Sequence, residues 1–238
     1  MSQNNADNKV VTLSTTPKDV SVIHKATVGI EVKINRLKET KGIDLTNNEA
    51  NVFLVINTSC TVDNSVYTNT EMQRILTRLL ALGQRFSPDG CVKLFSAGSE
   101  LTPINIGNYY TYVSSEILGK NLAFSSNSQY TPNLQQCVSN FKGSNINSFG
   151  IFITDTDVTD IAETEAIIKE AEKSNIYFQF VGIKDANYEN LKKLTSEVIP
   201  NNASFVQFRS FKDFTNIELY EIILGKYPEW LHENNLIK

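Results

Sequence analysis

The chain of 238 residues is long enough for one large α/β domain, and no shift in composition divides it into two. Its net charge of -4, without any dense group of lysine and arginine, gives no electrostatic footprint for nucleic acid or an anionic membrane, so we expect neither as a partner. Apolar runs stay well short of about 18 residues and no charged-then-apolar leader opens the chain, which predicts a cytoplasmic protein.

The cysteines and histidines give no sign of a disulfide framework or a zinc site. Cys60, Cys91 and Cys137 are an odd number without a close pair, which favours reduced thiols. Cys91 and Cys137 are predicted to be small core residues. His24 and His232 lie far from any second metal ligand or nucleophile in the sequence, and we expect both at the surface.

The N-terminal fifth of the chain is predicted to lie outside the main domain. Residues 1–18 are polar and without a sustained period, so they are predicted to be a flexible tail. Residues 19–50 are predicted to be a short N-terminal element. Val28, Ile30, Val32 and Ile34 alternate with polar or small residues, which indicates a strand, although Ile30, Ile34 and Leu37 would also line one face of a helix.

Beyond residue 50, apolar strand runs alternate with segments of helical period. The predicted elements are strand 52–56, helix 70–86, strand 91–95, helix 108–118, helix 132–141, strand 149–154, helix 161–174, strand 176–183, helix 188–197, strand 204–208 and helix 217–236, interrupted at Pro228. This order predicts a doubly wound, mainly parallel sheet with helices on both faces, a Rossmann-like α/β fold spanning 51–238. Strands 52–56, 149–154 and 176–183 should be adjacent or nearly so.

Side-chain oxygens follow two of these strands, at the edge where open α/β sheets bind ligands. The first strand runs into Asn57-x-Ser59-x-Thr61, and the strand 149–154 runs into Asp155 and Asp157. We expect these groups to converge at the carboxyl edge of the sheet.

Six short strings in this chain resemble the von Willebrand factor A domain of the type found in bacterial tellurium-resistance and related stress proteins. The resemblance extends from about 51 to 231. Its strings are Asn57-x-Ser59-x-Thr61, Phe86-Ser-Pro-Asp89-Gly90, Ser128-Gln-Tyr130-Thr-Pro132, Phe152-Ile-Thr-Asp155-Thr-Asp157, Gln179-Phe-Val-Gly-Ile183 and Pro228-Glu-Trp-Leu231.

The resemblance implies a metal-ion-dependent adhesion site, in which hydroxyls bind Mg²⁺ and carboxylates hold metal-bound waters. Carried over by position, the ligand set is Asn57, Ser59, Thr61, Ser128 and Asp155. Asn57 stands where the family has a carboxylate, and Cys60 stands where it usually has glycine. The degenerate set implies weak Mg²⁺ binding or none, because ligand charge is a main control of affinity.

The function implied is a non-enzymatic, intracellular protein-binding module of a stress system, which binds its partner at the carboxyl edge. Asp157 and Tyr110 are the candidate contacts with the partner. A scaffold that has lost all metal dependence is the alternative within the same class.

A different class of function is indicated by Asp155-x-Asp157-x-Thr159, which fits a Mg²⁺-dependent phosphotransferase motif of the haloacid-dehalogenase type. That motif normally opens its fold, whereas here it lies in the second half of the chain. The alternative interpretation of these carboxylates is structural. Asp157 and Asp160 would complement the positive end of the helix that follows, with Asp160 and Glu163 as a capping pair.

Overall fold

The fold is that of a computed structural model, which describes residues 17–57, 69–96, 99–105, 107, 109, 129–183 and 185–237. The helices are α1 (Pro17–Lys41), α2 (Asn69–Phe86), α3 (Thr131–Phe141), α4 (Ile161–Glu172), α5 (Glu189–Lys193, continued by a π-helical turn at Leu194–Val198), α6 (Asn216–Leu224) and α7 (Tyr227–Glu233). The strands are β1 (Ala50–Asn57), β2 (Val92–Ser96), β3 (Ser99–Ile104), β4 (Asn147–Thr154), β5 (Ile176–Ile183) and β6 (Ala203–Phe208).

One six-stranded sheet runs through the described residues in the order β3-β2-β1-β4-β5-β6. All neighbouring strands are parallel except β2 and β3, which form an antiparallel hairpin at one edge. The expected doubly wound, mainly parallel sheet is confirmed, and β1, β4 and β5 are adjacent as expected. The antiparallel strand β3 was not predicted, because Pro103 and its polar neighbours obscure the strand pattern.

Both faces of the sheet are covered, which explains why the central strands are continuous apolar runs. On β1, Val52, Leu54 and Ile56 belong to the core beneath α1, α2, α6 and α7. Phe53 and Val55 point the other way, into the core beneath α3, α4 and α5. Cys137 lies in this second core as predicted, whereas Cys91 is only half buried.

The N-terminal element is a helix, so the prediction of a strand over 28–34 is wrong. Ile23, Ile30, Ile34 and Leu37 are all buried, at helical spacing, and Val28 is 52 % exposed. The apolar alternation is therefore accidental, and burial of one helix face against α2 and α6 decides the conformation. α1 begins at Pro17, within the predicted tail. Residues 1–16 of that tail lie outside the described residues.

α1 approaches α6 closely because Gly29 has no side chain. A Cβ at this position would lie 2.9 Å from the Cβ of Asn216. Beside this contact, Lys33 and Arg36 both form ion pairs with Glu221 of α6. The helix that the sequence separates from the main domain is thus packed onto it.

The C-terminal helix is divided in two, as predicted, but the break precedes Pro228. It falls at Gly225, whose φ of +43° favours glycine. Pro228 lies in the first turn of α7, where its missing N–H costs nothing. The predicted helix 108–118 lies almost wholly outside the described residues. Over the ranges given above, no helix has both the length and the apolar character needed to cross a membrane.

Candidate functional site at the carboxyl edge of the sheet

The carboxyl ends of β1 and β4 lie side by side. Asn57, the last residue of β1, is paired in register with Thr154, and Asp155 is the next residue along β4. The expectation that Asn57 and Asp155 meet at one edge is therefore confirmed. Ser59, Thr61 and Ser128 of the predicted metal set lie outside the described residues, as do Cys60 and the candidate contact Tyr110.

The side chain of Asn57 is 3 % exposed and is held by neutral partners. Its Oδ1 accepts a hydrogen bond of 3.0 Å from Nδ2 of Asn133, in the first turn of α3. Its Nδ2 lies 3.5 Å from Oγ1 of Thr154. At the position where the family has a carboxylate, this chain therefore has an amide that both donates and accepts.

The buried hydroxyl of Tyr130 contacts the same threonine, Thr154, and its neighbour Thr156. The hydroxyl of Tyr130 donates to the carbonyl oxygen of Thr156 at 2.6 Å and lies 3.2 Å from Oγ1 of Thr154. Oγ1 of Thr154 also donates to the Thr156 carbonyl at 2.9 Å. Burial raises the pKa of Tyr130 well above its usual range, so its hydroxyl remains neutral. We call Asn57, Asn133, Thr154, Tyr130 and Thr156 the edge network.

Asp155 is the carboxylate of the predicted metal set that the structure places at this edge. It is 9 % exposed. Its neighbour Tyr188 donates its hydroxyl to the carbonyl oxygens of Ile183 at 2.7 Å and Thr154 at 3.0 Å. Burial, and then the charge of Asp155, raise the pKa of Tyr188 above its usual value. Within the described part of the chain, no group of three or more histidine, cysteine or acidic residues could hold a metal ion.

Asp157 binds the N-terminus of a helix, but not that of the helix which follows it. Its Oδ1 accepts from the amide of Leu191 and its Oδ2 from the amide of Asn190, each at 2.9 Å, in the first turn of α5. The amide of Val158 also donates to Oδ1 at 3.0 Å. Three backbone N–H groups therefore donate to this one carboxylate.

Asp160 binds the N-terminus of a different helix, α3. Its Oδ1 accepts from the amide of Tyr130 at 2.9 Å and its Oδ2 from the amide of Thr131 at 2.8 Å, at the start of α3. The predicted capping pair with Glu163 is wrong, since no side chain caps α4. Asp160 therefore fixes the helix end that carries Asn133 into the edge network.

Of the five members of the edge network, Asn57 alone was predicted as a site residue, and Tyr130, Asn133, Thr154 and Thr156 were missed. Tyr130 lies inside the string Ser128-Gln-Tyr130-Thr-Pro132, where only Ser128 was considered as a ligand. Asn133 follows Pro132, and that proline was itself a signal that a helical first turn begins there. The contact of Asn133 with Asn57 spans 76 residues and has no local signature.

The sheet order, with helices on both faces, is that of a von Willebrand factor A-type α/β domain. Residues 49–236 match the sequence profile of the vWA-TerF-like family, described as the vWA found in the C terminus of TerF. This match covers most of the chain, so the protein belongs to that family. The resemblance to the tellurium-resistance type is confirmed.

Two similar proteins illustrate how far the likeness extends. The uncharacterized protein YcbR of Bacillus subtilis (strain 168) is 26 % identical over 179 residues, which cover 71 % of this chain and 72 % of YcbR. The crystal structure of the ArnB paralog VWA2 from Sulfolobus acidocaldarius matches 68 % of this chain at 17 % identity, with a TM-score of 0.43. The present chain corresponds to 42 % of the length of VWA2.

Proposed function

We propose that this protein is a non-enzymatic protein-binding module of a tellurium-resistance-like stress system, and that it binds its partner at the carboxyl edge of the sheet with weakened or no dependence on metal. The observation that supports this most directly is the neutral hydrogen bonding of Asn57 with Asn133 and Thr154. Family membership supports the choice of the carboxyl edge, which carries the adhesion site in the relatives.

The described residues fit a Mg²⁺ site poorly. Mg²⁺ prefers hard oxygen donors in octahedral geometry, usually with carboxylates among or near them. Here Asp155 is the carboxylate that remains, and Oδ1 of Asn57 already accepts from Asn133. Loss of one nearby negative charge removes an attraction on the order of a few kcal/mol at protein-like dielectric. This favours a partner-binding surface that does not depend on a bound cation.

The described part of the carboxyl edge is a polar surface whose elements are held by hydrogen bonds. Asp157 and Asp160 hold the first turns of α5 and α3, and the edge network fixes the ends of β1 and β4. Thr159 and Asn187 lie exposed around these fixed elements. A prepositioned polar rim of this kind suits the recognition of another protein, because little ordering entropy is lost on binding.

The hydrogen bonds of Asp157 also favour a non-enzymatic role over phosphotransfer. A general acid and base must exchange a proton with its substrate during each turnover. Both oxygens of Asp157 already accept hydrogen bonds from backbone amides of α5, one from Asn190 and one from Leu191. The carboxylate therefore suits a structural role in holding α5 better than a catalytic one.

Affinity capture from native lysate tests both the edge and the metal independence. The wild-type chain, Thr159→Arg at the carboxyl edge and Asn145→Arg at the opposite edge are used as baits, each with Mg²⁺ or with a chelator. Both changes place the same charge on an exposed residue. We expect a partner that wild type and Asn145→Arg retain in chelator and that Thr159→Arg loses.

Three results would contradict the proposal. Loss of the partner in chelator would mean that partner binding depends on metal. Loss in Asn145→Arg with retention in Thr159→Arg would move the interface to the other edge. The absence of any specific partner would favour the scaffold alternative. The stress role requires, in addition, that cells lacking the gene grow less well in tellurite or oxidant and recover with the wild-type gene but not with Thr159→Arg.

A further inference from the structure

The outer side of β6 is an open strand edge. β6 is the last strand of the sheet, and no other strand of the described ranges pairs with its outer side. The carbonyl oxygen of Asn202 accepts from the amide of Phe178 on β5. Because backbone groups alternate along a strand, those of Ser204 and Val206 also point to β5, and those of Ala203 and Phe205 point outward. Ala203 is fully buried, so the accessible outward groups are those of the partly exposed Phe205. An edge of this kind is a template for another strand.

The two edges of the sheet are not equivalent. β3, at the far edge, contains Pro103, which has no N–H and therefore weakens that edge as a pairing template. β6 has the sequence Ala-Ser-Phe-Val-Gln-Phe, without proline. The outward backbone N–H of Phe205 can therefore donate to an added strand.

A groove of about 220 Å³ lies along this edge between the two helical layers. Ser204 and Phe205 of β6 form its floor. The remaining lining residues are Lys192, Thr195 and Ser196 from α5 and its π-helical turn, and Lys226 from the turn between α6 and α7. The edge thus has one lysine on each side, because α5 and α6 cover opposite faces of the sheet.

These two lysines are exposed, and along the described part of the chain neither forms an ion pair. Lysines elsewhere on the surface do, such as Lys142 with Glu170 and Lys169 with Glu165. A second copy of this chain, pairing edge to edge, would bring the same positive charges together. The charge of the groove therefore favours an acidic occupant and opposes self-association.

We propose that the outer edge of β6 binds an extended acidic segment of a partner protein as a seventh strand. Successive side chains of a strand point to opposite faces. Two adjacent acidic residues would therefore direct one carboxylate toward Lys192 and the other toward Lys226. The ligand is accordingly an extended segment with an acidic pair. This surface is separate from the carboxyl edge, so the inference does not rest on the function proposed above.

A short synthetic peptide with two adjacent glutamates, flanked by valine and threonine, serves as the probe. Its affinity is measured by fluorescence anisotropy, and the contact is mapped by amide chemical shifts in NMR spectra. We expect saturable binding with a Kd below about 1 mM, and the largest shifts at Phe205 and the residues next to it in β6. A peptide with two lysines in place of the glutamates, and one with N-methylated backbone amides, should bind at least about tenfold more weakly.

The protein variants separate the groove from general surface charge. Lys192→Glu combined with Lys226→Glu should weaken the glutamate peptide about tenfold or more, since two attractive pairs become repulsive. Lys193→Glu changes the charge of an exposed neighbour that does not line the groove, and affinity should stay within about twofold. Circular dichroism and Tm of each variant establish that the fold is retained.

Several results would overturn the inference. Equal binding of the N-methylated peptide would mean charge attraction without strand addition. Equal weakening by Lys193→Glu would mean that the groove is not the contact. The inference would also be excluded by chemical shift changes located away from β6 or by no binding of the glutamate peptide at about 1 mM. A wild-type dimer formed through β6 would exclude it as well.

Discussion

Replacement of Asn57 by aspartate would put a carboxylate into the edge network, whose other members are neutral. One new oxygen would keep the hydrogen bond of 3.0 Å from Asn133. The other would replace Nδ2 and face Oγ1 of Thr154, which already donates its proton to the carbonyl of Thr156. Thr154 can therefore serve the new oxygen only by giving up its present acceptor.

The size of the effect follows from burial. Position 57 is 3 % exposed, and a buried polar group left without a partner costs about 1–3 kcal/mol of unfolding free energy. In a domain of this size about 1 kcal/mol moves Tm by about 2–4 °C, so without metal we expect Asn57→Asp to melt roughly 2–12 °C below wild type.

The penalty depends on pH in a defined direction. Burial should raise the pKa of the introduced carboxyl above the ordinary aspartate value of about 3.9. Below about pH 4 the group is neutral in both the folded and unfolded states and the penalty disappears. As pH rises through the folded-state pKa the penalty reaches its full size. A Tm difference that is constant from acid to neutral pH would contradict this reasoning.

Mg²⁺ should reverse the penalty in the variant and leave wild type unchanged. At a concentration of about ten times Kd, binding to the folded state alone adds about 1.4 kcal/mol. Asn51→Asp is the matched control, because it introduces the same charge near the opposite end of β1. Differential scanning fluorimetry with and without millimolar Mg²⁺ measures all three proteins. Equal responses of wild type and Asn57→Asp would refute the account of the network.

Further expected outcomes concern packing, helix ends, tyrosine ionisation and catalysis. Gly150→Ala should destabilise the protein by about 1–3 kcal/mol in urea unfolding, because a Cβ there would overlap the ring of Phe53 in the core; a smaller loss would mean that Phe53 can move. Asp160→Ala should cost about 0.5–2 kcal/mol and Asp160→Asn less, since an amide can still accept from the start of α3; equal losses would exclude the cap. Burial raises the pKa of several tyrosines, so their contribution to unfolding free energy should be constant below about pH 10 and fall above it, with tyrosinate absorbance appearing only on unfolding. Wild type and Asp157→Asn should both fail to hydrolyse p-nitrophenyl phosphate, and Mg²⁺-dependent turnover that Asp157→Asn abolishes would establish the phosphotransferase alternative.

The sheet could be predicted because its central strands carry their own signal. β4 and β5 are buried at every position and β1 at all but one, so each is a mainly apolar run. The convergence of Asn57 and Asp155 followed, since parallel strands end at the same edge.

α1 could not be predicted with the same success, because two periods overlap within it. Val28 and Val32 extend the alternation of Ile30 and Ile34, and the alternation alone favours a strand. What selects the helix is its packing against α2 and α6, which is a tertiary property. Gly29, which appears in the sequence only as a break in the apolar pattern, is the residue that permits the close contact.

The position of Asn57 beside Asp155 was predicted, but the hydrogen-bond partners of the side chains at this edge were not. Asp160 was assigned to the helix that follows it, yet it binds the amide of Thr131, 29 residues earlier. Asn133 and Tyr130 reach the end of β1 and β4 only because Asp160 holds the start of α3 there. Contacts between separate elements of this kind leave no pattern in the local sequence.

The most direct test of the metal-independent edge is NMR of the wild-type protein with Mn²⁺, a paramagnetic ion that accepts the same oxygen ligands as Mg²⁺. We expect the amide signals of Asn57, Thr154 and Asp155 to lose no more intensity than those of exposed residues at the opposite edge, with Mn²⁺ up to about 1 mM. Selective, saturable broadening at Asn57, Thr154 and Asp155 would show a bound ion at the carboxyl edge and contradict the account.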